Sequence, residues 1–137
     1  MSCASWALQQ AVFATLTMSD AIKSVAGDPP RVFDAIPREA AFPYIVVGED
    51  GETNWDTATE AGSEHSLAIH VWSRAGGRKE IKLAAEAVRD ALHGAQLSLD
   101  GHTLVDLRFV AAEFSRENDG ETFRATVRFR AVTEPTS

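Results

Sequence analysis

Cysteine is almost absent from this sequence, because Cys3 is the only one among 137 residues. A single cysteine cannot form an intrachain disulfide or a cysteine metal cluster, and this usage is typical of a protein from a reducing cytoplasm. No apolar run approaches the roughly 20 residues that span a bilayer. The N-terminus also lacks the basic region of a signal peptide. These absences predict a protein without a membrane partner.

Basic residues are scarce. The chain has 13 Lys and Arg against 20 Asp and Glu, which gives a formal net charge of −7. Binding to phosphates requires Lys and Arg, so this balance argues against a surface that holds nucleic acid tightly. It is compatible with a protein past which DNA slides. The length predicts one domain over residues 1–137, with a loose tail at 133–137.

Signatures of catalysis and of ligand binding are missing as well. The sequence has no HExxH pair, GxSxG elbow or Walker A loop, and Cys3 lies too near the start of the chain to be a preorganised nucleophile. The glycine pair of RAGGRK, residues 74–79, indicates a connector that opens a helix, with an anion-binding loop as the other interpretation. The four histidines share no ligand spacing. We therefore predict no enzyme, no cofactor and no metal site.

The patterns that are present predict an α+β domain. Its sheet is mainly antiparallel and twisted, and an N-terminal helix and one central helix pack on one face. Helical spacing of apolar residues predicts helices at 5–17 and 78–93, with a short one between Ser19 and Gly27. A change of apolar parity near 109–112 predicts a β-bulge. Strands are predicted at 43–49, 65–73, 95–99, 102–114 and 122–132, and Asp-Gly turns at 50–51, 100–101 and 119–120, the first followed by a return arm at 52–60.

One segment is strongly acidic. Between residues 49 and 64 the chain has no Lys or Arg. This pattern is typical of a solvated hairpin. The alternative is an acidic arm that takes part in assembly or lines a passage. The acids concerned are Glu49, Asp50, Glu52, Asp56, Glu60 and Glu64.

Arginine is concentrated on the last predicted strand. Arg124, Arg128 and Arg130 share its outward face, and Arg108 is a candidate neighbour on the preceding strand. Such a row is typical of an exposed strand face. Like charges on one face also repel by a few tenths of a kcal/mol or more per pair. A partner would relieve that repulsion, and an acidic strip on an identical subunit is one candidate.

The order of these features resembles that of the small phage and prophage proteins described as tail completion or tail terminator proteins, which occur in long-tailed phages and gene transfer agents. The resemblance covers nearly the whole chain. Its most specific part is Asp34, Ile36-Pro37 and Pro43-Tyr44, followed by VWS and a glycine-initiated helix. The segments that carry it are ALQQAVFATLTMSDAI, RVFDAIPREAAFPYIVVGE, HSLAIHVWSRAGGRKEIKLAAEAVRDAL and EFSRENDGETFRATVRFRAVTE.

The resemblance implies a structural virion protein. Such proteins are similar to ring-forming terminators, usually hexamers, at the head-proximal end of the tail tube, where they stop tube polymerisation and offer a surface to head-completion or connector proteins. DNA would pass through the ring without specific binding. The protein would be in the bacterial cytoplasm during assembly and then in the particle. A head–tail stopper or adaptor is the first alternative, and a small α+β ligand-binding or enzymatic domain is the second.

Overall fold

The structure is a computed structural model that describes residues 3–58 and 60–136, except for the side chains of Glu49 and Asp50. Within these residues, two helices and three strands come first, followed by a third helix and three more strands. The helices are α1 (Ala4–Met18), α2 (Asp20–Ala26) and α3 (Lys79–Leu92). The strands are β1 (Val32–Phe33), β2 (Tyr44–Asn54), β3 (Ser63–Ser73), β4 (Ser98–Leu99), β5 (His102–Arg116) and β6 (Phe123–Pro135).

The strands form one sheet in the order β1-β2-β3-β6-β5-β4. The pair β1–β2 is parallel, and every other pair is antiparallel. The helices pack on one face of this sheet, so the α+β prediction is confirmed. At each edge lies a strand of two residues, β1 or β4, which covers only a small part of the long strand beside it.

Local periodicity explains the best-predicted elements. Along β6, Phe129 and its alternate neighbours are buried under the helices, because successive side chains of a strand point to opposite faces. In α3 the predicted stripe is buried from Ile81 to Leu92. Burial of one such large side chain contributes roughly 1.5–3 kcal/mol to the free energy of unfolding. The core therefore includes the contact between the apolar stripe of α3 and the buried side chains of β6.

Helix α1 differs from α3 in composition. It contains no charged residue between Ala4 and Met18. Leu8 and Val12 are fully buried against the sheet, whereas Trp6 and Phe13 are partly exposed. The helix therefore presents apolar side chains to both the core and the solvent, and packing rather than surface charge holds it in place.

The hairpin prediction at Asp50-Gly51 is wrong. Strand β2 continues through this dipeptide to Asn54, and the chain reverses at 55–62 before β3 begins. The register of β2 against β3 shifts between Val47 and Asp50. Glycine in a strand often marks such a bulge. A Cβ atom at Gly48 would lie 2.5 Å from Cδ2 of His70. The hairpin formed by β2 and β3 is thus longer than predicted, because β2 runs to Asn54, and β3 rather than 52–60 is its return strand.

The C-terminal hairpin agrees better with expectation. The predicted bulge in β5 lies between Phe109 and Ala111, and a second irregularity lies between Leu104 and Asp106. Strand β6 runs to Pro135, so Thr133 is buried inside the sheet and not in a loose tail at 133–137. Pairing of this segment with β3 and β5 outweighs its proline and polar composition. In the described part of the chain, no helix has the length and apolar character that a membrane crossing requires.

Candidate assembly surfaces

The face of the sheet opposite the helices, called here the open face, carries two different groups of side chains. At the end where β2 begins, a set of rings forms the aromatic end. Toward the acidic arm, arginines on β5 and β6 form the arginine end. The aromatic end is Phe33, Phe42, Tyr44 and Trp72, and the arginine end is Arg108, Arg128 and Arg130.

The aromatic end is covered by the protein's own chain. Tyr44 stacks on Trp72 with ring centroids 5.2 Å apart, and Phe42 lies 5.1 Å from Tyr44. Tyr44 is only 7% exposed and Trp72 only 8%, because Ala40 and Phe42 of the preceding loop pack against them. Burial raises the pKa of the Tyr44 hydroxyl, and nearby Arg74 opposes that change. This end of the face is therefore a second small core.

Arg124 belongs to the aromatic end and not to the arginine row. Its guanidinium carbon lies 5.3 Å from the ring centre of Trp72, and its Nη2 lies 3.0 Å from Nδ1 of His70. The same His70 nitrogen is 3.2 Å from Oγ1 of Thr126. The predicted row of three arginines on β6 is thus divided between two environments. A guanidinium over a tryptophan contributes about 0.5–2 kcal/mol, depending on its desolvation.

The arginine end is matched by acids of the same chain. Nε of Arg128 lies 2.6 Å from Oε1 of Glu113. Arg130 forms an ion pair with Glu64 and stacks over Trp55 at 4.8 Å. The repulsion expected from the sequence is therefore relieved within one chain, and solvent-exposed pairs of this kind contribute about 0–1 kcal/mol each.

Arg108 lies where the sequence predicts it. The register places it directly opposite Arg130. Between these two cations is the Asp106 carboxylate, whose Oδ2 is 2.8 Å from Nε of Arg108 and 3.9 Å from Nη1 of Arg130. One acid therefore serves two arginines, and the group is a small network rather than a set of isolated pairs.

The acidic arm, residues 49–64, has an ordered tip. The Asp56 carboxylate accepts a hydrogen bond from the N–H of Gly62 (2.9 Å), and Asn54 accepts one from the N–H of Asp56 (3.0 Å). Asp56 therefore holds the loop, and Glu64 is used by the arginine end. The side chains of Glu49 and Asp50 lie outside the described residues.

At the arm, the exposed carboxyl group of Glu60 lies close to the half-buried one of Glu134 on β6. Glu60 forms a hydrogen bond with Glu134 and repels its charged form, and both effects raise the pKa of Glu134. Glu52 is exposed farther down the strand, and no ion pair to it is found among the described residues. The arm thus presents negative charge that its own chain leaves unneutralised.

A third set of cations, which sequence analysis missed, lies on α3 and at its N-cap, over phenylalanine rings of β5 and β6. Lys82 Nζ is 5.2 Å from the ring centre of Phe114, and the Arg89 guanidinium is 4.4 Å from that of Phe109. Arg78 lies over Phe123 at 5.2 Å. These cations occupy helical positions beside the apolar stripe and resemble an ordinary solvated face. The feature of the sequence that could have indicated this set is the helical spacing of Lys82 and Arg89 together with Phe109 and Phe114 on β5.

Among the described residues, His65, His70 and Asp119 take part in hydrogen bonds of the fold. Within 3–58 and 60–136, no three His, Cys, Asp or Glu side chains lie together as metal ligands would. The buried histidines have hydroxyl partners, as His65 shows with Nε2 at 2.9 Å from Oγ1 of Thr133. Asp119 folds a turn: hydrogen bonds from Thr122 and from the N–H of Glu121, with Arg74 nearby, lower its pKa to about 2.

Comparisons with known proteins agree with one another. A family model described as tail completion protein gp17 matches residues 10–134. The tail completion protein gp17 of Bacillus phage SPP1 is 27% identical over 129 residues, which are 93% of this chain and 92% of that protein. A chain in the virion of a native gene transfer agent particle is 32% identical, with a TM-score of 0.88 over 98% of this chain and 99% of its own. Another solved chain, 11% identical, shares the fold with a TM-score of 0.56 over 99% and 98%.

Proposed function

This chain belongs to the family of tail completion protein gp17, and we propose that it forms a ring at the head-proximal end of a phage-like tail tube. There it ends tube polymerisation and provides the surface to which the head attaches. The observation that carries the proposal is the match along almost the entire chain to a component of a gene transfer agent virion. That match also supports a place in the particle, with the tube protein and a head-completion or connector protein as partners.

A closed ring suits this task physically. Identical subunits joined head to tail form a ring when their rotation closes, and a filament when it does not. A ring, a hexamer in this proposal, repeats each modest contact with the last tube ring, so the total binding is multivalent. Its two axial surfaces differ, and growth of the tube stops because the outer surface no longer resembles a tube ring.

The charged surfaces have separate roles in this proposal. The face bearing Arg108, Arg124, Arg128 and Arg130 contacts a subunit or the tube. Its charges are already paired or stacked, so it supplies shape and register more than net attraction. The acidic arm extends to a neighbour or to the lumen. Negative charge in the lumen would let the DNA duplex pass without adhering. This mechanism requires no catalytic group.

Electron microscopy of particles from a strain that lacks this protein tests the proposal. We expect overlong tails that are not joined to heads, and restoration of normal particles by the wild-type chain. A matched pair of variants, Arg128→Glu and Arg128→Lys, then tests the arginine face, because only the first reverses its charge. Tails of normal length with the defect confined to heads would instead indicate a stopper or adaptor.

A further inference from the structure

Among the residues that the structure describes, the outer edge of β5 has no partner strand over much of its length. Strand β4 covers β5 only at His102 and Thr103. Farther on, the end of α3 covers two positions: Gly94 donates to the carbonyl of Leu107 (2.8 Å), and the N–H of Phe109 donates to Nδ1 of His93 (2.9 Å). Beyond the bulge, from 110 to 116, the described residues provide no strand on this side. An unpaired edge of this kind is a template for another strand.

The peptide groups at this edge point outward at predictable positions. Phe109 faces Phe129 and directs its N–H away from β6. The register past the bulge pairs Ala112 with Val127 and Phe114 with Ala125. Hydrogen-bonding direction alternates along a strand, so Phe129, Val127 and Ala125 of β6 all direct their peptide groups away from β5. Their partners Ala112 and Phe114 therefore direct their own peptide groups to the outer side, as Phe109 does.

Cations without acidic partners border the same edge. Lys82 and Arg89 lie over Phe114 and Phe109, and Arg116 lies at the end of the strand. No ion pair within the described residues involves any of these three, in contrast to Arg128 and Arg130 on the open face. The edge therefore combines free backbone groups, half-buried rings and unneutralised positive charge.

The opposite edge of the sheet has the complementary charge. Strand β1 pairs with β2 only at Ile45 and Val46, so the rest of β2 has no described strand on its outer side. This part of β2 leads into the acidic arm, where Glu52 and Glu60 are exposed and no Lys or Arg lies between 49 and 64. Two unpaired edges of opposite charge thus lie on opposite sides of one sheet.

From this geometry we infer that the acidic arm of one copy lies along the β5 edge of the next copy, as an added strand held between Lys82 and Arg89. The inference rests on the proposed ring and identifies its lateral contact. The two edges are different surfaces, so the contact is head to tail, as a closed ring requires. Strand addition supplies backbone hydrogen bonds, and the charges select the partner.

Ala112→Pro tests the backbone part of the inference. Proline removes an N–H that points away from β6, which an edge strand tolerates. We expect the variant to fold and to lose assembly at least tenfold, measured by sedimentation of the purified full chain and by recovery of joined particles. Ala112→Val is the matched control, because it adds bulk but keeps the N–H. Assembly of the proline variant at wild-type level would refute strand addition.

Exchange of charges tests the choice of partner. Reversal of the edge (Lys82→Glu with Arg89→Glu) and reversal of the arm (Glu52→Lys with Glu60→Lys) should each reduce assembly at least tenfold. A chain that carries all four substitutions should recover most of it, since each reversed arm meets a reversed edge. Thermal unfolding of every variant verifies that it folds. Failure of the fourfold variant to recover, with its fold intact, would overturn the inference.

A cross-link separates this inference from the proposed function. In a Cys3→Ser background, cysteines at Glu52 and Ala112 should form a disulfide between copies in isolated tails, whereas cysteines at Glu52 and Asp20 should not. Tails that end normally without the first cross-link would contradict the inference and leave the function standing. If the first cross-link forms, but a strain that lacks the protein still makes normal tails, the proposed function would be contradicted instead.

Discussion

Two groups of basic side chains in this protein differ in what neutralises them. Arg128 and Arg130 on the open face form ion pairs with Glu113 and Glu64 of the same chain. Lys82 and Arg89 at the β5 edge instead lie over phenylalanine rings, with no acid of the described chain within ion-pair distance. Both groups are largely at the surface, so exposure alone does not distinguish them.

A cation that is matched by an acid of its own chain and one that is not should affect different measurements. A matched cation contributes to the fold of its own chain, and its removal is felt by the isolated subunit. Removal of an unmatched cation should change the stability of the isolated subunit little. It should instead weaken assembly, where another molecule supplies the acid. The following predictions test whether the two groups separate in this way, and whether the aromatic end belongs with the first.

The largest effect is expected at the aromatic end. Trp72→Ala should lower the free energy of unfolding by about 3–5 kcal/mol, because it leaves a cavity beside Tyr44 and removes the surface on which Arg124 lies. Urea denaturation of the full chain measures this loss. Trp55→Ala is the control, since that ring is half exposed, and it should lose much less. Equal losses would mean that the two ends of the open face do not differ as described.

A smaller effect should separate the two groups of cations directly. Arg130→Met should destabilise the subunit by about 1 kcal/mol, because Glu64 and Asp106 then lose a shared partner. Lys82→Met should change stability by less than about 0.5 kcal/mol, as is usual for a surface substitution. A double-mutant cycle of Arg130→Met with Glu64→Gln measures the coupling. If Lys82→Met proved the more damaging substitution, the distinction between matched and unmatched cations would fail.

Salt should act on assembly more than on the fold. Screening becomes strong when the Debye length falls from about 10 Å at 0.1 M to about 3 Å at 1 M ionic strength. Association of wild-type chains through oppositely charged edges should therefore weaken over this range. The melting temperature of the isolated subunit should shift by only a few degrees, since exposed pairs contribute little to its stability. Assembly that strengthens with salt would instead indicate an apolar contact, for which Trp6 and Phe13 on α1 are the exposed candidates.

The smallest effect concerns the turn between β5 and β6. Hydrogen bonds from Thr122 lower the pKa of Asp119 to about 2 from an ordinary value of 3.8. A lowered pKa means that this carboxylate stabilises the fold above about pH 4, and that the contribution disappears as the pH falls toward 2. The melting temperatures of wild type and Asp119→Asn should differ slightly at pH 7 and converge near pH 2. A difference that does not change with pH would exclude the charge as its cause.

The sequence predicts this fold best where the signal is local. The stripe of α3 and the alternation of β6 depend only on neighbours along the chain, and the bulge in β5 was visible as a change of parity. Asp50-Gly51 has the composition of a turn, yet pairing with β3 holds it in a strand. Tertiary pairing of this kind overrides local preference and is not encoded in the dipeptide.

The candidate surfaces were predictable to a smaller extent. Strand order was enough to make Arg108 a candidate neighbour of the arginines on β6, but only the register places it opposite Arg130. The acids that neutralise the open face could not be foreseen, because Glu64 is 66 positions from Arg130 in the chain. The free edge of β5 was hidden for a related reason, since a sequence shows where strands are but not which of them lacks a neighbour. Lys82 and Arg89 acquire significance only when that edge is seen beside them.

The place of β6 in the sheet has a consequence for synthesis. This strand follows every other described element in the chain, yet it lies between β3 and β5 at the centre of the sheet. Until β6 has emerged from the ribosome, β3 and β5 have no strand between them, and the two halves of the sheet cannot pair. The basic edge of β5 therefore takes its final form only after β6 has been made, so the lateral contact inferred above is open only to a chain whose β6 is in place.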